Sequence, residues 1–391
     1  MKRKRLILCV SSFLAQLSIC MANFALIYYM REKFLLQPAQ IGIASSIYTV
    51  TYFLSCLAFS PLFAHLKRKA KAFIAFWGMA FSDIFIILTE STAILYLMLA
   101  LYGVAMSFLW PNIEDWITEG ESGVALAKAT GSFNLSWSLG AGLSTLLGGV
   151  LSSLSPAFPI ALSATLFILA LLPVLMLPKE KGRAEKEESE IMSERNGVSY
   201  LRYFSWCGNF LNYACYSLLI TIFPLYALEI LGFSEALSGV LLLFRGMATC
   251  FSFILCSRLH FWQQSRPVVL LFQLCLSLLL IALSHLSSPS SFALFFIVFG
   301  FVFAFLYEMS IFHGASGTSR RERSMVIHEV LLNVGMVLGA SFGGIIYERY
   351  SFSAILHVLS ALIFMAFVIE VIIMICLAKR SSSLSPEGQK H

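Results

Sequence analysis

The chain has 391 residues, of which 59% are hydrophobic and only 12% are charged. Its mean hydropathy is +0.83. Soluble domains carry about 25% charged residues, so this composition excludes an ordinary soluble protein and indicates a polytopic membrane protein. The formal net charge of +6 comes from basic residues dispersed over short loops, and we therefore expect no nucleic-acid partner.

Twelve apolar segments are long enough to cross a bilayer, because a spanning helix needs about 20 apolar residues. The first six run over 6–30, 41–63, 72–89, 93–113, 129–151 and 157–177. The other six run over 203–228, 237–256, 268–286, 291–312, 325–347 and 353–377. The first segment follows MKRKR but is too long for a secretory signal and lacks a clear A-x-A site, so we expect an uncleaved helix.

A charged stretch over 178–202 separates the two groups of segments. It holds six basic and six acidic residues with few apolar ones among them, so it cannot enter lipid and predicts a solvated linker. We therefore predict an all-α polytopic membrane protein with twelve transmembrane helices in two six-helix bundles. The bundles would be 1–177 and 203–378, followed by a tail over 379–391.

Lysine and arginine are distributed very unevenly between the two sides of this predicted topology. The loops on the side of the termini hold 23 of them, the opposite loops hold three, and one lies inside a helix. Because basic residues are enriched on the cytoplasmic side, we predict a protein of the cell membrane with the linker and both termini in the cytoplasm. The short opposite loops leave no room for an extracellular domain.

The two halves also share a residue pattern, which predicts pseudo-symmetry. Gly103 matches Gly300 within similar stretches of the fourth and tenth segments, at an offset of 197. At an offset of 195, glycines of the fifth segment match glycines of the eleventh; the pairs are Gly140 with Gly335, Gly148 with Gly343, and Gly149 with Gly344. Duplicated membrane halves usually form a binding site between them near the middle of the bilayer.

This architecture resembles the major facilitator superfamily of secondary transporters. The family's motif after the second helix falls on 60–69, where Leu62 and the basic pair at 68–69 are kept but Ala64 replaces an aspartate. The antiporter motif of the fifth helix keeps its glycines at 131, 140, 148 and 149, while Ser144 and Thr145 replace Gly-Pro. The resemblance implies transport by alternating access, with helices one, four, seven and ten lining the cavity.

The same resemblance suggests where the halves move. Close packing through small residues is expected between the fifth and eighth or the second and eleventh helices. We therefore expect Gly140 and Gly335 to lie at the moving interface. The candidates for gating or coupling are Glu308, Asp83, Glu114, Arg68, Gly140, Gly148, Gly149, Gly335, Gly343 and Gly344.

Ionisable residues inside the predicted spans are functional candidates, because burying a charge at the centre of a bilayer costs about 2.5–3.5 kcal/mol on insertion scales. Asp83 and Glu370 fall on outer helices, where a structural partner is as good an explanation as a role in transport. Glu114 ends the fourth helix and is either solvated or part of a gate. Glu308 is either a gate or proton site or a member of a structural ion pair, and Glu329 is expected in a surface ion pair.

Arg245 is the one basic residue inside a predicted span. It is the ninth residue of its segment, so it lies about 12 Å from the boundary of a core that is about 30 Å thick. Two explanations stay open: an ion pair with Glu308, or an anchor for an anionic substrate in the cavity.

Polar and aromatic residues on the cavity helices form the remaining candidates for substrate binding. With Arg245, they are Gln16, Asn23, Trp110, Asn112, Asn209, Asn212, Tyr213, Tyr216 and Tyr307. Several are three or four residues apart and share a helix face, which is typical of a polar solute site but also of helix packing.

Neither a catalytic constellation nor a phosphate-binding loop is found, and the nine cysteines form no metal-binding spacing. We therefore predict no enzyme, no cofactor and no metal, and expect a monomer in the lipid bilayer. The predicted function is transport of a small polar or anionic solute. Proton-coupled drug or metabolite efflux is the alternative within transport, and a non-transporting receptor or scaffold is the alternative outside it.

Overall fold

The computed structural model describes residues 2–63, 65–119, 123–177, 201–259, 261–263, 265–315 and 321–383, and the regular structure in these ranges is helical. The linker therefore lies almost wholly outside the described residues. The helices are α1 Lys2–Lys33, α2 Pro38–Leu62, α3 Arg68–Leu88, α4 Thr92–Met106, α5 Trp110–Thr118, α6 Gly123–Ser152, α7 Ala157–Leu175, α8 Leu201–Thr221, α9 Phe223–Glu229, α10 Glu235–Arg258, α11 Arg266–Leu283, α12 Pro289–Ala315, α13 Arg321–Arg349 and α14 Phe352–Ser383.

These helices provide 12 candidate membrane spans within the described ranges, as the apolar runs predicted. The fourth span is interrupted between α4 and α5, and the seventh between α8 and α9. Pro111 and Pro224 lie at the beginnings of α5 and α9. Proline has no backbone N–H for the preceding turn, which accounts for a break just before each of them.

The outward faces of the peripheral helices are apolar. On α3, the side chains of Trp77, Phe81 and Leu88 are exposed, and on α14 those of Ile369 and Ile372 are exposed. Exposed apolar surface of this extent would be unstable in water and is typical of contact with lipid. The prediction of an all-helical polytopic membrane protein is confirmed.

Equivalent glycines of the two halves make equivalent contacts. Gly103 packs against the backbone of Tyr48 on α2, and Gly300 packs against the backbone of Arg245 on α10. Likewise, a Cβ added to Gly140 would lie 2.6 Å from the carbonyl oxygen of Phe13 on α1, and one added to Gly335 would lie 2.5 Å from that of Phe210 on α8. The repeat seen in the residue pattern is therefore a repeat of helix packing.

The contacts of Gly140 and Gly335 correct one prediction. Both glycines pack against the first helix of their own half, so they do not lie at the interface between the halves. Gly148 and Gly343 also face the first helix of their own half, through Phe24 and Leu218.

Other glycines, Gly149 and Gly344 among them, make contacts between the halves. A Cβ on Gly149 of α6 would lie 2.9 Å from the Cα of Gly239 on α10. Gly344 of α13 packs against the backbone of Pro38 on α2. The close packing between the fifth and eighth spans and between the second and eleventh spans is therefore present, and Gly149 and Gly344 contribute to it where Gly140 and Gly335 do not.

These contacts lie toward one end of the bundle, which we call the distal end because it is opposite both chain termini. There Arg31 of α1 forms an ion pair with Glu229 of α9, with 2.6 Å between Nε and Oε1. The backbone N–H of Ala39 donates to Glu348 at 2.9 Å. These bonds join helices of different halves, so the distal end is closed.

The end that carries both termini, here called the terminal end, shows a different pattern. Arg68 pairs with Asp115 at 2.8 Å and with Glu119 at 2.5 Å, and Lys4 also pairs with Glu119. Burial opposes the charge on Glu119, but the hydrogen bonds from Lys4 and Arg68 outweigh it and lower the pKa of Glu119 below its ordinary value. All these groups belong to the first half, so the ion pairs brace that half internally.

Candidate functional site

Arg245 lies on α10 in the interior of the bundle and is only 6% exposed. Its guanidinium carbon is 4.8 Å from the ring centroid of Tyr216 on α8, in a cation–π contact. Its Nε is buried without a hydrogen-bond partner. The ion pairs found among the described residues do not include Arg245. A buried guanidinium with an unsatisfied donor is costly, and such groups are typical of binding sites.

Side chains of the first half face Arg245 from the other side. One of them is Cys20 of α1, which lies close enough for the charge of Arg245 to act on its thiol. The side-chain amide of Gln16 donates to the Cys20 sulfur at 3.0 Å, and the Gln16 Oε1 is buried without a partner. Tyr48 of α2 interacts electrostatically with Cys20 and Tyr216. The guanidinium is therefore near Cys20 of the opposite half, and Gln16, which bonds to Cys20, has a polar atom that lacks a partner.

An aromatic group lines the second half beside Arg245. The ring centroid of Tyr216 lies 5.8 Å from that of Tyr213 and 5.1 Å from that of Phe303 on α12. Tyr307, one turn further along α12, lies 6.0 Å from Tyr213. We call these four residues, Tyr213, Tyr216, Phe303 and Tyr307, the aromatic wall. The wall begins at the guanidinium and extends toward the terminal end.

Three carboxylates lie at the terminal end of the aromatic wall. Glu114, Glu308 and Glu329 each interact electrostatically with Tyr307, and Glu114 also interacts with Glu329 in the other half. Glu114 and Glu329 are exposed although they lie between the halves, and Glu308 is half-buried. Solvent therefore reaches the space between the halves from the terminal end. The open surroundings of Gly131, near that end of α6, agree with this.

Several predicted residues lie within single halves instead. Asn112 donates from its side chain to the Arg68 carbonyl at 3.0 Å, and Trp110 packs on Phe133 of α6 with 6.3 Å between ring centroids. These contacts hold the terminal end of the first half together and do not bring Asn112 or Trp110 to Arg245.

The asparagines of the other cavity helices differ in their surroundings. Asn212 donates to the Phe303 carbonyl at 3.2 Å, which fixes α12 against α8. The Oδ1 atoms of Asn209 and Asn212 are buried without partners. Asn23 on α1 is half-buried. No interaction among the described residues joins Asn209, Asn212 or Asn23 to Arg245. Their role in binding stays a prediction.

The acidic residues of the outer helices are also distant from Arg245. Asp83 on α3 is fully buried, and its Oδ2 accepts a hydrogen bond of 2.8 Å from Ser163 on α7. Glu370 on α14 is buried beside Gln273 and Cys207. Asp83 joins two helices of the first half, which favours the structural explanation for it, whereas both carboxylate oxygens of Glu370 are buried without a hydrogen-bond partner among the described residues.

Two residues near Arg245 were missed by the sequence analysis. Cys20 is not among the candidates named from the sequence, although it is one turn beyond Gln16 and therefore on the same helix face. Tyr48 was left out because it belongs to the second span, which was not expected to line the cavity. Metal binding is not indicated, since no group of three or more histidine, cysteine or acidic residues is suitably placed in the described part of the chain.

The fold and site define a helical membrane protein with two similar halves and a polar centre between them. The sequence model of the Major Facilitator Superfamily matches residues 8–315. The chain therefore belongs to the major facilitator superfamily and is a secondary transporter, not an enzyme.

Solved structures agree with this fold. The nucleoside transporter NupG matches with a TM-score of 0.72 and 14% identity, over 96% of this chain and 99% of that one. A bacterial homologue of the human lysosomal transporter Spinster matches with a TM-score of 0.72 and 13% identity, over 96% and 94%. A POT family transporter in complex with 5-aminolevulinic acid matches with a TM-score of 0.75 and 13% identity, over 95% and 96%. A search of curated proteins finds no match.

Proposed function

We propose that this transporter carries a small organic anion, whose negative charge is bound by Arg245. The observation that supports this most strongly is the buried guanidinium without a carboxylate partner among the described residues. A bound anion would neutralise the guanidinium, and an unpaired charge inside a bilayer protein is otherwise difficult to maintain. Its position between two moving halves would expose the bound anion alternately to the two sides.

The competing explanation for Arg245 was an ion pair with Glu308. In this structure Glu308 lies on α12 next to Tyr307, which Glu114 of α5 and Glu329 of α13 also approach. The residues around Arg245 are different ones, namely Tyr216, Tyr213, Cys20 and Cys250. The two charges are therefore held apart, with the aromatic wall between them. This arrangement favours the anion anchor over the structural pair.

The direction of opening follows from the proposed topology. With both termini in the cytoplasm, as the lysine and arginine distribution supports, the closed distal end faces outside and the open terminal end faces the cytoplasm. The structure then corresponds to an inward-facing state of a cell-membrane transporter.

Proton-coupled efflux is a second candidate, and the three carboxylates at the terminal end favour it. Glu114 and Glu329 belong to opposite halves and already interact electrostatically. Closing the terminal end would bring them nearer, and like charges repel more strongly as their separation falls. Protonation of one carboxylate would relieve this repulsion, which would couple closure to a proton.

The test is binding and transport by purified protein in proteoliposomes, with and without a proton gradient. A panel of small carboxylates and phosphates serves as substrate. We expect Arg245→Gln to abolish anion binding and Arg245→Lys to weaken it, because lysine keeps the charge but loses the bidentate geometry. Arg349→Gln, a change at an exposed arginine of the distal end, is the matched control and should bind normally.

Specific outcomes would reject the proposal. Normal binding by Arg245→Gln would remove the anchor, and recovery of transport on adding Glu308→Gln to that variant would restore the ion-pair explanation. Flux that does not respond to the proton gradient would reject proton coupling. If no solute were transported at all, the receptor or scaffold alternative would be favoured.

A further inference from the structure

The aromatic wall joins the core of the second half to the surroundings of Arg245: Tyr213 and Phe303 are buried, and Tyr216 and Tyr307 are half-buried. The hydroxyls of Tyr213, Tyr216 and Tyr307 form no hydrogen bond with the described residues, and none of them is among the fully buried unsatisfied atoms. A phenol hydroxyl that is neither fully buried nor bonded to a described residue is available to a ligand. The three tyrosines therefore offer donors and ring surface to a ligand.

The wall is also continuous with the guanidinium. Tyr216 contacts Arg245 on one side and Phe303 on the other. Tyr213 interacts electrostatically with both Arg245 and Tyr307. A molecule whose carboxylate is bound at Arg245 would therefore have its body beside Tyr216 and close to Tyr213.

The rings are held in place by their own half. Asn212 donates to the carbonyl of Phe303 at 3.2 Å, which joins α8 to α12 between the tyrosines. The planes of Phe303 and Tyr307 are nearly parallel, at 4° to each other. Aromatic groups prefer partners at centroid separations of about 4.5–7 Å, and a fixed, ordered set of rings loses little conformational freedom when a flat partner is added.

From these observations we propose that the substrate is an aromatic carboxylate, with its carboxylate at Arg245 and its ring against Tyr213, Tyr216 and Tyr307. This inference rests on the proposed function, since it assigns the class of the anion. It also predicts something that an anion anchor alone does not predict. The site should bind an aromatic carboxylate more tightly than a carboxylate of the same charge and similar size whose ring is saturated.

The test compares benzoate, cyclohexanecarboxylate and acetate as ligands of the purified protein, by calorimetry or thermal shift. We expect benzoate to bind about fivefold or more tightly than cyclohexanecarboxylate, because stacking adds to area burial. Tyr307→Leu should reduce this preference by at least half, and Tyr307→Phe should keep it. Tyr350→Leu, at an exposed position of the distal end, is the control for loss of a tyrosine elsewhere.

The ratio of two affinities from one sample also guards against misfolding, since a variant that still binds cyclohexanecarboxylate has a formed site. Equal affinity of the wild-type protein for benzoate and cyclohexanecarboxylate, with binding still dependent on Arg245, would overturn this inference alone. An unchanged preference in both Tyr307→Leu and Tyr213→Leu would overturn it as well. Benzoate binding that does not depend on Arg245 would instead reject the proposed function.

Discussion

Arg245 and its neighbours show how a single position acquires a role from its surroundings. Guanidinium groups are satisfied by carboxylates, by water or by ligands, and the cation–π contact with Tyr216 satisfies only one face of this one. The Nε of Arg245 remains buried without a hydrogen-bond partner. The residue is therefore suited to bind an anion that arrives and leaves, which a permanent ion pair would prevent.

Gly149 carries a prediction at the same scale. Its Cα lies against Gly239 of the opposite half, so Gly149→Val would force α6 and α10 apart at the distal end. We expect this variant to insert into the membrane but to transport at less than about a tenth of the wild-type rate, as proteoliposome uptake would measure.

Gly131 on the same helix provides the matched control for that change. A Cβ at Gly131 would meet no other atom within 4 Å. We therefore expect Gly131→Val to transport at nearly the wild-type rate. Equal activity of the two variants would show that the contact between Gly149 and Gly239 does not limit transport. By contrast, Gly140→Leu and Gly335→Leu should lower the stability of their own halves.

At the scale of elements, α2 and α13 form one of the two most extensive helix contacts between the halves. The hydroxyl oxygens of Ser46 and Ser341 are 2.8 Å apart, and Ser46 also approaches the Val337 carbonyl at 3.2 Å. Gly42 lets the backbone of Ala340 approach closely beside this pair. Because alternating access requires the distal end to open, these two helices must separate in each cycle.

We therefore predict that a crosslink between positions 46 and 341 holds the distal end closed reversibly. Cysteines at both positions should form a disulfide under mild oxidation, since their side-chain oxygens are already in contact. We expect oxidation to stop transport and reduction to restore it. A protease site placed in the linker would report the bond, because the cleaved halves would stay together on a non-reducing gel. Full transport by the demonstrably crosslinked protein would show that α2 and α13 need not separate.

At the scale of the whole molecule, two halves of similar packing enclose one asymmetric site. Arg245 and the aromatic wall belong to the second half, whereas Gln16, Cys20 and Tyr48 belong to the first. The glycine contacts repeat between the halves, but the residues that face the centre do not. A common scaffold with different central side chains allows one half to hold the substrate while the other closes over it.

The orientation of the molecule is the prediction that belongs to this scale. It places the linker and both ends of the chain in the cytoplasm, because the loops of that side hold 23 lysines and arginines against three. Single cysteines at Ser193 and Ser385, which both lie outside the described residues, should be protected from an impermeant thiol reagent added to intact cells. Labelling after permeabilisation is the control, and labelling of either position in intact cells would contradict the orientation.

The number of spans, the two halves and the embedded arginine could be predicted from the residues alone. A bilayer requires long apolar helices and penalises charge, so apolar runs and their exceptions are visible without a structure. The equivalence of the glycines in the two halves was visible for the same reason, since it depends only on spacing along the chain.

Only the tertiary structure decided which surfaces meet. Gly148 and Gly149 are adjacent, so they point about 100° apart around α6, and packing directs one to α1 of its own half and the other to α10 of the opposite half. In the same way, counting along each span made Glu308 a reasonable partner for Arg245, but α12 packs with Gly300 level with Arg245. Glu308 therefore lies about 12 Å further toward the terminal end, near Cys256. Composition and spacing determine that a helix spans the bilayer and which side chains it presents. The neighbour of each face depends on how twelve such helices pack together, and that information is not local in the sequence.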